Sequence, residues 1–305
     1  MQKIRLATRG SVLALTQSTQ VKEQLQSLYS DLEVELVVIK TSGDQIQDRP
    51  LREVGGKGLF VKEIEEALLD QRADFAVHSM KDVPSEIPPD LAVDIILKRE
   101  NPFDALISHY PSLEQMPAGS KIGTSSLRRK ILLQKFYPHL NIVELRGNVD
   151  TRIRKLRGKQ FDGILLAVAG LKRLGRFSEV TQVLDAFIPA PAQGAIALET
   201  RQNDVSTRNL IAVLHHDETA SCVQAERVIL KNLEGSCQLP LGAYAYAKEG
   251  RLFLKAFLAS PDASHWIEES LEGSFEHPLR LGEDLSEKMF QKGARDILKG
   301  LRLTI

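Results

Sequence analysis

Apolar positions along the chain recur in two rhythms. Short runs bounded by charge, glycine or proline fall at residues 3–8, 33–40, 75–77, 91–97, 104–108, 121–123, 142–145, 162–168 and 195–200. Runs of that length predict buried strands of a largely parallel sheet. Between them lie stretches with apolar residues three and four apart. One carries Leu13, Leu15, Val21, Leu25 and Leu28, and another carries Phe60, Ile64, Ala67 and Leu68. These predict helices, as do residues 124–136, 169–173 and 204–214. Strand, helix and strand in succession predict parallel crossovers. From Asp217 the rhythm changes to a helix over 220–233, an alternating hairpin of 243–247 with 252–258, and a closing amphipathic helix over 279–298.

Two hinge-like breaks, Arg99-Glu100-Asn101-Pro102 and Ala190-Pro191-Ala192-Gln193-Gly194, interrupt the α/β pattern. Two such crossings predict a bilobal protein with a cleft, the segment after the second crossing returning to the first lobe. The expected fold class is α/β: two doubly wound lobes resembling type II periplasmic binding proteins, plus a small C-terminal α+β domain. The expected domains are 1–98 with 195–215, 99–194, and 216–305. With 305 residues, 43% of them hydrophobic, the chain can bury cores of that size. Lys plus Arg equals Asp plus Glu at 40 each, so anion binding must come from local clustering. Two cysteines are too few for a disulfide framework. No run of 18 apolar residues occurs, and the N-terminus has no apolar leader, so the expectation is a soluble cytoplasmic protein without a membrane partner, a monomer by default.

Chemistry-bearing residues gather where strands end. Phe75–Val77 runs into His78, Ser79, Lys81 and Asp82 before Pro84 stops the strand. In open α/β sheets ligands sit beyond the carboxyl ends of strands, although a solvated Lys–Asp pair in a strand-to-loop junction fits the same letters. Arg9 and Ser11 lie at the first strand-to-helix junction, either an anion site or an ordinary cap. Thr41–Gly58 is polar and glycine-rich. Its Lys57 is followed by Gly rather than Ser or Thr, which excludes a nucleotide P-loop and suggests a lid carrying a cation. Thr124-Ser125-Ser126-Leu127-Arg128-Arg129 opens a helix, and Arg146-Gly147-Asn148-Val149-Asp150-Thr151-Arg152 repeats the arrangement. Between Lys121 and Lys159 there are eleven Lys or Arg against two acids, Glu144 and Asp150. Arg154, Lys155, Arg157 and Lys159 fit a solvated helix face; Arg128, Arg129, Arg146 and Arg152 fit it less well. Binding of nucleic-acid phosphates and binding of a polycarboxylate both fit the cluster. Scarce aromatics (Phe136, Tyr137, Phe161) argue against stacked bases. Cys222 falls within a helix, whereas Cys237 sits in a glycine-bounded loop, with no zinc spacing around either.

Taken together, Ala7–Ser11 (ATRGS), Gly55–Phe60 (GGKGLF), His78–Pro84 (HSMKDVP), Gly123–Arg129 (GTSSLRR), Leu145–Val149 (LRGNV), Thr151-Arg152, Ala169–Leu174 (AGLKRL), Ala192–Ala195 (AQGA) and Gly235–Gly242 (GSCQLPLG) form an ordered series. The chain resembles the porphobilinogen deaminases over nearly its whole length. Two departures are Ser236, where the family often has a second glycine before the loop cysteine, and Glu53, where some members have lysine. The resemblance implies a three-domain transferase. It would deaminate four porphobilinogen molecules and join them head to tail on a covalent dipyrromethane cofactor, thioether-linked to Cys237, then release hydroxymethylbilane by hydrolysis. It implies Asp82 as the catalytic carboxylate, stabilising positive charge that develops on the pyrrole nitrogen as ammonia leaves. Every pyrrole carries an acetate and a propionate, so the implied carboxylate contacts are Arg9, Ser11, Lys57, Ser79, Lys81, Thr124, Ser126, Arg128, Arg129, Arg146, Gly147, Arg152, Arg173 and Gln193. One carboxylate serving every cycle implies hinge motion and a mobile lid over 41–58. The alternative is a non-catalytic bilobal anion-binding protein, which would require neither Asp82 nor Cys237.

Overall fold

The computed structural model describes residues 2–45, 61–233 and 239–302. Lys57, most of the 41–58 lid and Cys237 therefore lie outside the described residues. The chain divides into two compact units, Met1–Glu100 with Ala195–Ala220, and Asn101–Gly194 with Ser221–Ile305.

The first unit is built on a five-stranded sheet in the order β2-β1-β3-β10-β4. Its strands are β1 (Gln2–Arg9), β2 (Leu32–Ile39), β3 (Phe75–Ser79), β4 (Leu91–Ile96) and β10 (Ile196–Arg201). β1 runs parallel to β2 and β3, whereas β10 is antiparallel to β3 and β4. Successive strand residues face opposite sides. Leu6, Phe75 and Val77 pack with Val21 and Leu25 of helix α1 (Val12–Leu28). Ala7 and Ala76 pack on the other face with Ile64, Ala67 and Leu68. These last three belong to α3 (Lys62–Leu69), which follows the single turn α2 (Ser42–Gln45). With both faces covered, β3 and β10 are nearly continuous buried runs, whereas β1 and the edge strand β2 alternate over part of their length. α7 (Val205–Ile211) closes the unit.

The second sheet repeats that order as β7-β6-β8-β5-β9. Its strands are β5 (Asp104–Ser108), β6 (Lys121–Gly123), β7 (Asn141–Val143), β8 (Gly163–Ala167) and β9 (Gln182–Leu184). β6 is parallel to β7 and β8, and β5 is antiparallel to β8 and β9. In each sheet the antiparallel strand follows a crossing, β5 after residue 100 and β10 after residue 194. Helices α4 (Leu127–Phe136), α5 (Val149–Arg157) and α6 (Val168–Arg173) follow β6, β7 and β8.

The C-terminal α+β part is a meander of β11 (Leu241–Lys248), β12 (Arg251–Ala259) and β13 (Trp266–Ser274). Helices α8 (Asp217–Asn232), α9 (Pro278–Gln291) and α10 (Ala294–Arg302) accompany it. Ala225, Ile229, Leu254, Leu285 and Met289 share its core. β13 departs from the sequence expectation. Its Glu268, Glu269 and Glu272 disfavour a strand, but the sequence Trp266–Ser274 pairs along the whole of β12 and buries Ile267. The single helix expected over 279–298 breaks at Gly293, whose φ of 97° is readily accessible only to glycine.

Candidate active site

In the first unit, Arg9 ends β1 and Ser79 ends β3, two parallel strands of one sheet. Ser11 caps α1, its Oγ accepting from the Ala14 N–H at 3.3 Å. No acidic residue occupies the first turn of that helix, so its N-terminal dipole is uncompensated. Gln17 of α1 is buried and its Nε2 donates to Ser79 Oγ at 2.9 Å. A single turn of 3-10 helix, Met80–Asp82, follows directly. Buried Met80 and Val83 pin it on either side, and the Met80 N–H donates to the Ala195 carbonyl at 3.0 Å. Lys81 and Asp82 are half-buried between those anchors. His78 points away from this edge chemistry: its Nε2 lies 2.8 Å from Glu199 Oε2, and both side chains are buried.

In the second unit the residues gather at the carboxyl ends of β6, β7 and β8. Ser126 caps α4, accepting from the Arg129 N–H at 3.4 Å, and its own N–H donates to Thr124 Oγ1 at 3.2 Å. Arg128 and Arg129 are only 4% and 6% exposed, and the carboxylate they meet is the protein's own Asp104, fully buried. Arg128 Nη2 lies 2.8 Å from Asp104 Oδ2, and Arg129 Nε and Nη2 donate to Oδ1 at 3.0 and 2.7 Å. Gln193 Nε2 donates to the same Oδ1 at 2.9 Å and to the Pro102 carbonyl at 2.7 Å. Arg128 Nη1 donates to the Ile188 carbonyl and Arg129 Nη1 to the Leu165 carbonyl. Burial pushes the Asp104 carboxyl up, but Arg128, Arg129 and Gln193 outweigh it and hold the group well below the usual carboxylate range.

The second strand-to-helix junction is more open. Arg146 Nε donates to Glu144 at 2.6 Å, and Arg152 Nε donates to the Gly147 carbonyl at 2.7 Å. Gly147 has φ 112°, and a Cβ there would lie 2.7 Å from Thr151 Cγ2, so the turn requires glycine. Burial, Arg129 and Arg146 together lower the Arg152 guanidinium to about 10. Positive charges held this close are relieved by an anion. Arg173 Nη2 donates to the Gly194 carbonyl at 2.7 Å. The preceding Ala192 adopts a left-handed φ of 60°, its N–H donating to buried Glu226 at 2.6 Å. Glu226 also accepts from the Ala245 N–H at 2.7 Å and so ties the Gln193 segment to β11.

Arg157 pairs with Glu179, and Lys155 Nζ donates to the Arg146 carbonyl; Arg154 and Lys159 are exposed, as expected of a solvated face. The three nearby aromatics do not form a stacking platform. Phe161 is buried, Tyr137 packs near Phe187, and Phe136 meets Trp266 edge-on. Asp104, Gln17 and Glu199 were not visible as site residues in the sequence. Only Gln17 leaves a trace there, as a polar residue in phase with Val21 and Leu25 on the buried stripe of α1.

Two family models match the sequence: "Porphobilinogen deaminase, dipyromethane cofactor binding domain" over residues 4–209, and "Porphobilinogen deaminase, C-terminal domain" over 220–291. A curated porphobilinogen deaminase of Thiobacillus denitrificans is 46% identical over 304 residues, covering 99% of both chains. The chain belongs to the porphobilinogen deaminase family. As a porphobilinogen deaminase it is a transferase of tetrapyrrole biosynthesis. It condenses four porphobilinogen molecules onto a covalent dipyrromethane primer with loss of ammonia and releases hydroxymethylbilane. The non-catalytic alternative is thereby set aside. Among solved structures the chain is similar to a putative methionine-binding lipoprotein of Bacillus subtilis, with TM-score 0.44, 12% identity, and 72% of this chain and 92% of that chain covered. It is also similar to a probable amino-acid transporter binding protein of the same organism, with TM-score 0.45, 10% identity, and 70% and 90% covered.

Proposed function

We propose that Asp82 is the catalytic carboxylate of this reaction and that Cys237 carries the dipyrromethane. The observation that supports Asp82 is its setting: a half-buried carboxylate on a turn pinned by Met80 and Val83, at the edge that also holds Arg9, Ser11, Ser79 and Lys81. A carboxylate fixed there stabilises the positive charge that develops on the pyrrole as ammonia departs, and it exchanges a proton with the leaving amine. The cofactor, when bound, supplies the nucleophilic pyrrole carbon to which the first substrate joins. The chain's own part is to bind carboxylates and hold the reacting rings in register.

The second unit fits a polycarboxylate ligand. Arg129 and Arg146 each repel Arg152, and α4 starts without an acidic residue. Charge-assisted hydrogen bonds to carboxylate contribute about 1.5–3 kcal/mol each. In this reading Arg146, Arg152 and the free N–H groups of Arg129 take substrate carboxylates, with Thr124, Ser126, Gly147 and Arg173 beside them. Arg128, committed to Asp104 and Ile188, supports them from behind. Lys57 remains the assigned cation of the lid.

We read the three sheets as three domains, 1–98 with 195–215, 99–194 and 216–305, because each sheet carries a core cluster drawn from its own segment, although a further cluster joins the second sheet to Phe257 and Ala259 of β12. We further read the protein as a cytoplasmic monomer without nucleic-acid or membrane partners. Among the described residues no helix is long and apolar enough to cross a membrane. Light scattering after size exclusion tests the monomer.

Intact mass of the protein beside a Cys237→Ser variant tests the central reading. An excess of two condensed pyrrole units in the parent, absent from the variant, supports both cofactor and anchor. The same excess in the variant overturns the anchor.

A further inference from the structure

Asp104 lies outside the carboxylate-binding set, yet three of that set, Arg128, Arg129 and Gln193, contact it. It begins β5, the antiparallel strand, opposite Ala167 at the carboxyl end of β8. Its side chain is fully buried and receives Arg128, Arg129 and Gln193, three residues from two distant segments of the chain. Arg129 is held at three of its five N–H groups, two on Asp104 Oδ1 and one on the Leu165 carbonyl. One N–H remains on each terminal nitrogen, the number a carboxylate needs for two parallel bonds. A buried ion-pair network contributes little net stability, because desolvation offsets the attraction. Its consequence here is orientation.

We propose that Asp104 is a positioning residue of the transferase, gripping Arg129 by one edge so that its remaining N–H groups receive a pyrrole carboxylate beside Arg152. Asp104 touches no substrate and acts through Arg129. The proposal rests on the reading of Arg129 as a carboxylate contact.

The test is a double-mutant cycle on the holoenzyme, with Asp104→Asn, Arg129→Gln and the double variant. Each is checked by intact mass and melting, and KM and kcat for porphobilinogen are then measured. Each single change is expected to raise KM at least tenfold, with a smaller effect on kcat, and the double variant to be no worse than Arg129→Gln alone. Fold-changes that multiply in the double variant, or a folded Asp104→Asn enzyme with KM within twofold of the parent, overturn the positioning role. If Asp104→Asn fails to fold, Asp104→Glu keeps the charge while displacing the grip by a methylene; it is expected to raise KM likewise, and an unchanged KM overturns the proposal. Arg129→Gln with unchanged KM instead overturns the carboxylate reading on which the proposal stands.

Discussion

His78 on β3 and Glu199 on β10 form a buried pair, Nε2 to Oε2 at 2.8 Å, one residue before the strand gives way to the Ser79–Asp82 edge. The register pairs His78 with Ala197 and Ala76 with Glu199, so the contact is a diagonal one on a single face of the sheet. Glu199→Ala leaves the imidazole without this partner inside the core. A cost of about 1–3 kcal/mol is expected, which lowers the melting midpoint by about 2–4 °C per kcal/mol. Because β3 leads straight into Asp82, kcat is expected to fall as well. An unchanged midpoint measured by calorimetry would show that the pair contributes nothing net.

Asp82→Asn keeps the shape of the turn and removes the charge. Turnover is expected to drop by about a hundredfold or more, the scale on which a preorganised electrostatic group acts, while melting stays near the parent value. Steady-state release of hydroxymethylbilane measures it, and near-normal turnover refutes the assignment.

Arg152 is held charged against burial and against Arg129 and Arg146. Its folded value is depressed to about 10, so the charged form costs stability at neutral pH, and stability increases as pH rises through that value. Arg152→Gln is therefore expected to raise the melting midpoint of the cofactor-free protein while impairing elongation, seen as accumulated enzyme-bound intermediates by mass spectrometry. A lower midpoint with intact elongation contradicts both halves.

Asp104 gives the opposite pH sign. Its carboxyl is held below the ordinary range in the folded chain, so its stabilisation is complete above an unfolded value of about 3.9 and is lost as pH falls below that. The gap in urea midpoint between the parent and Asp104→Asn should be wide at neutral pH and narrow on acidification below that value. A gap independent of pH would mean that the carboxyl is not ionised in the folded protein.

Gly147→Ala puts a Cβ against Thr151 in a left-handed turn. The strain costs about 1–3 kcal/mol. Because Arg152 is tethered to the Gly147 carbonyl, KM for porphobilinogen should rise with it. Kinetics and melting of one preparation test this; a normal KM would uncouple the turn from Arg152.

By itself the sequence determined the strands of the two five-stranded sheets, except β9 (Gln182–Leu184), and the strand-to-helix junctions at Arg9–Ser11, Ser79–Asp82, Thr124–Arg129 and Arg146–Arg152. Those features are local, set by periodicity, caps and turn residues a few positions apart. β13 and the break at Gly293 escaped it, because strand pairing overrode the glutamates of Trp266–Ser274 and a single backbone angle split the helix. The tertiary structure alone decided which buried carboxylate Arg128 and Arg129 meet. Asp104 precedes Arg129 by 25 positions and Gln193 follows Asp104 by 89, yet Arg129 and Gln193 both donate to Asp104 Oδ1. Glu199 reaches His78 across 121 positions. In both sheets the carboxylate comes from the antiparallel strand supplied after a crossing, which brings residues distant in sequence side by side. No spacing rule records that juxtaposition, because it arises from strand order.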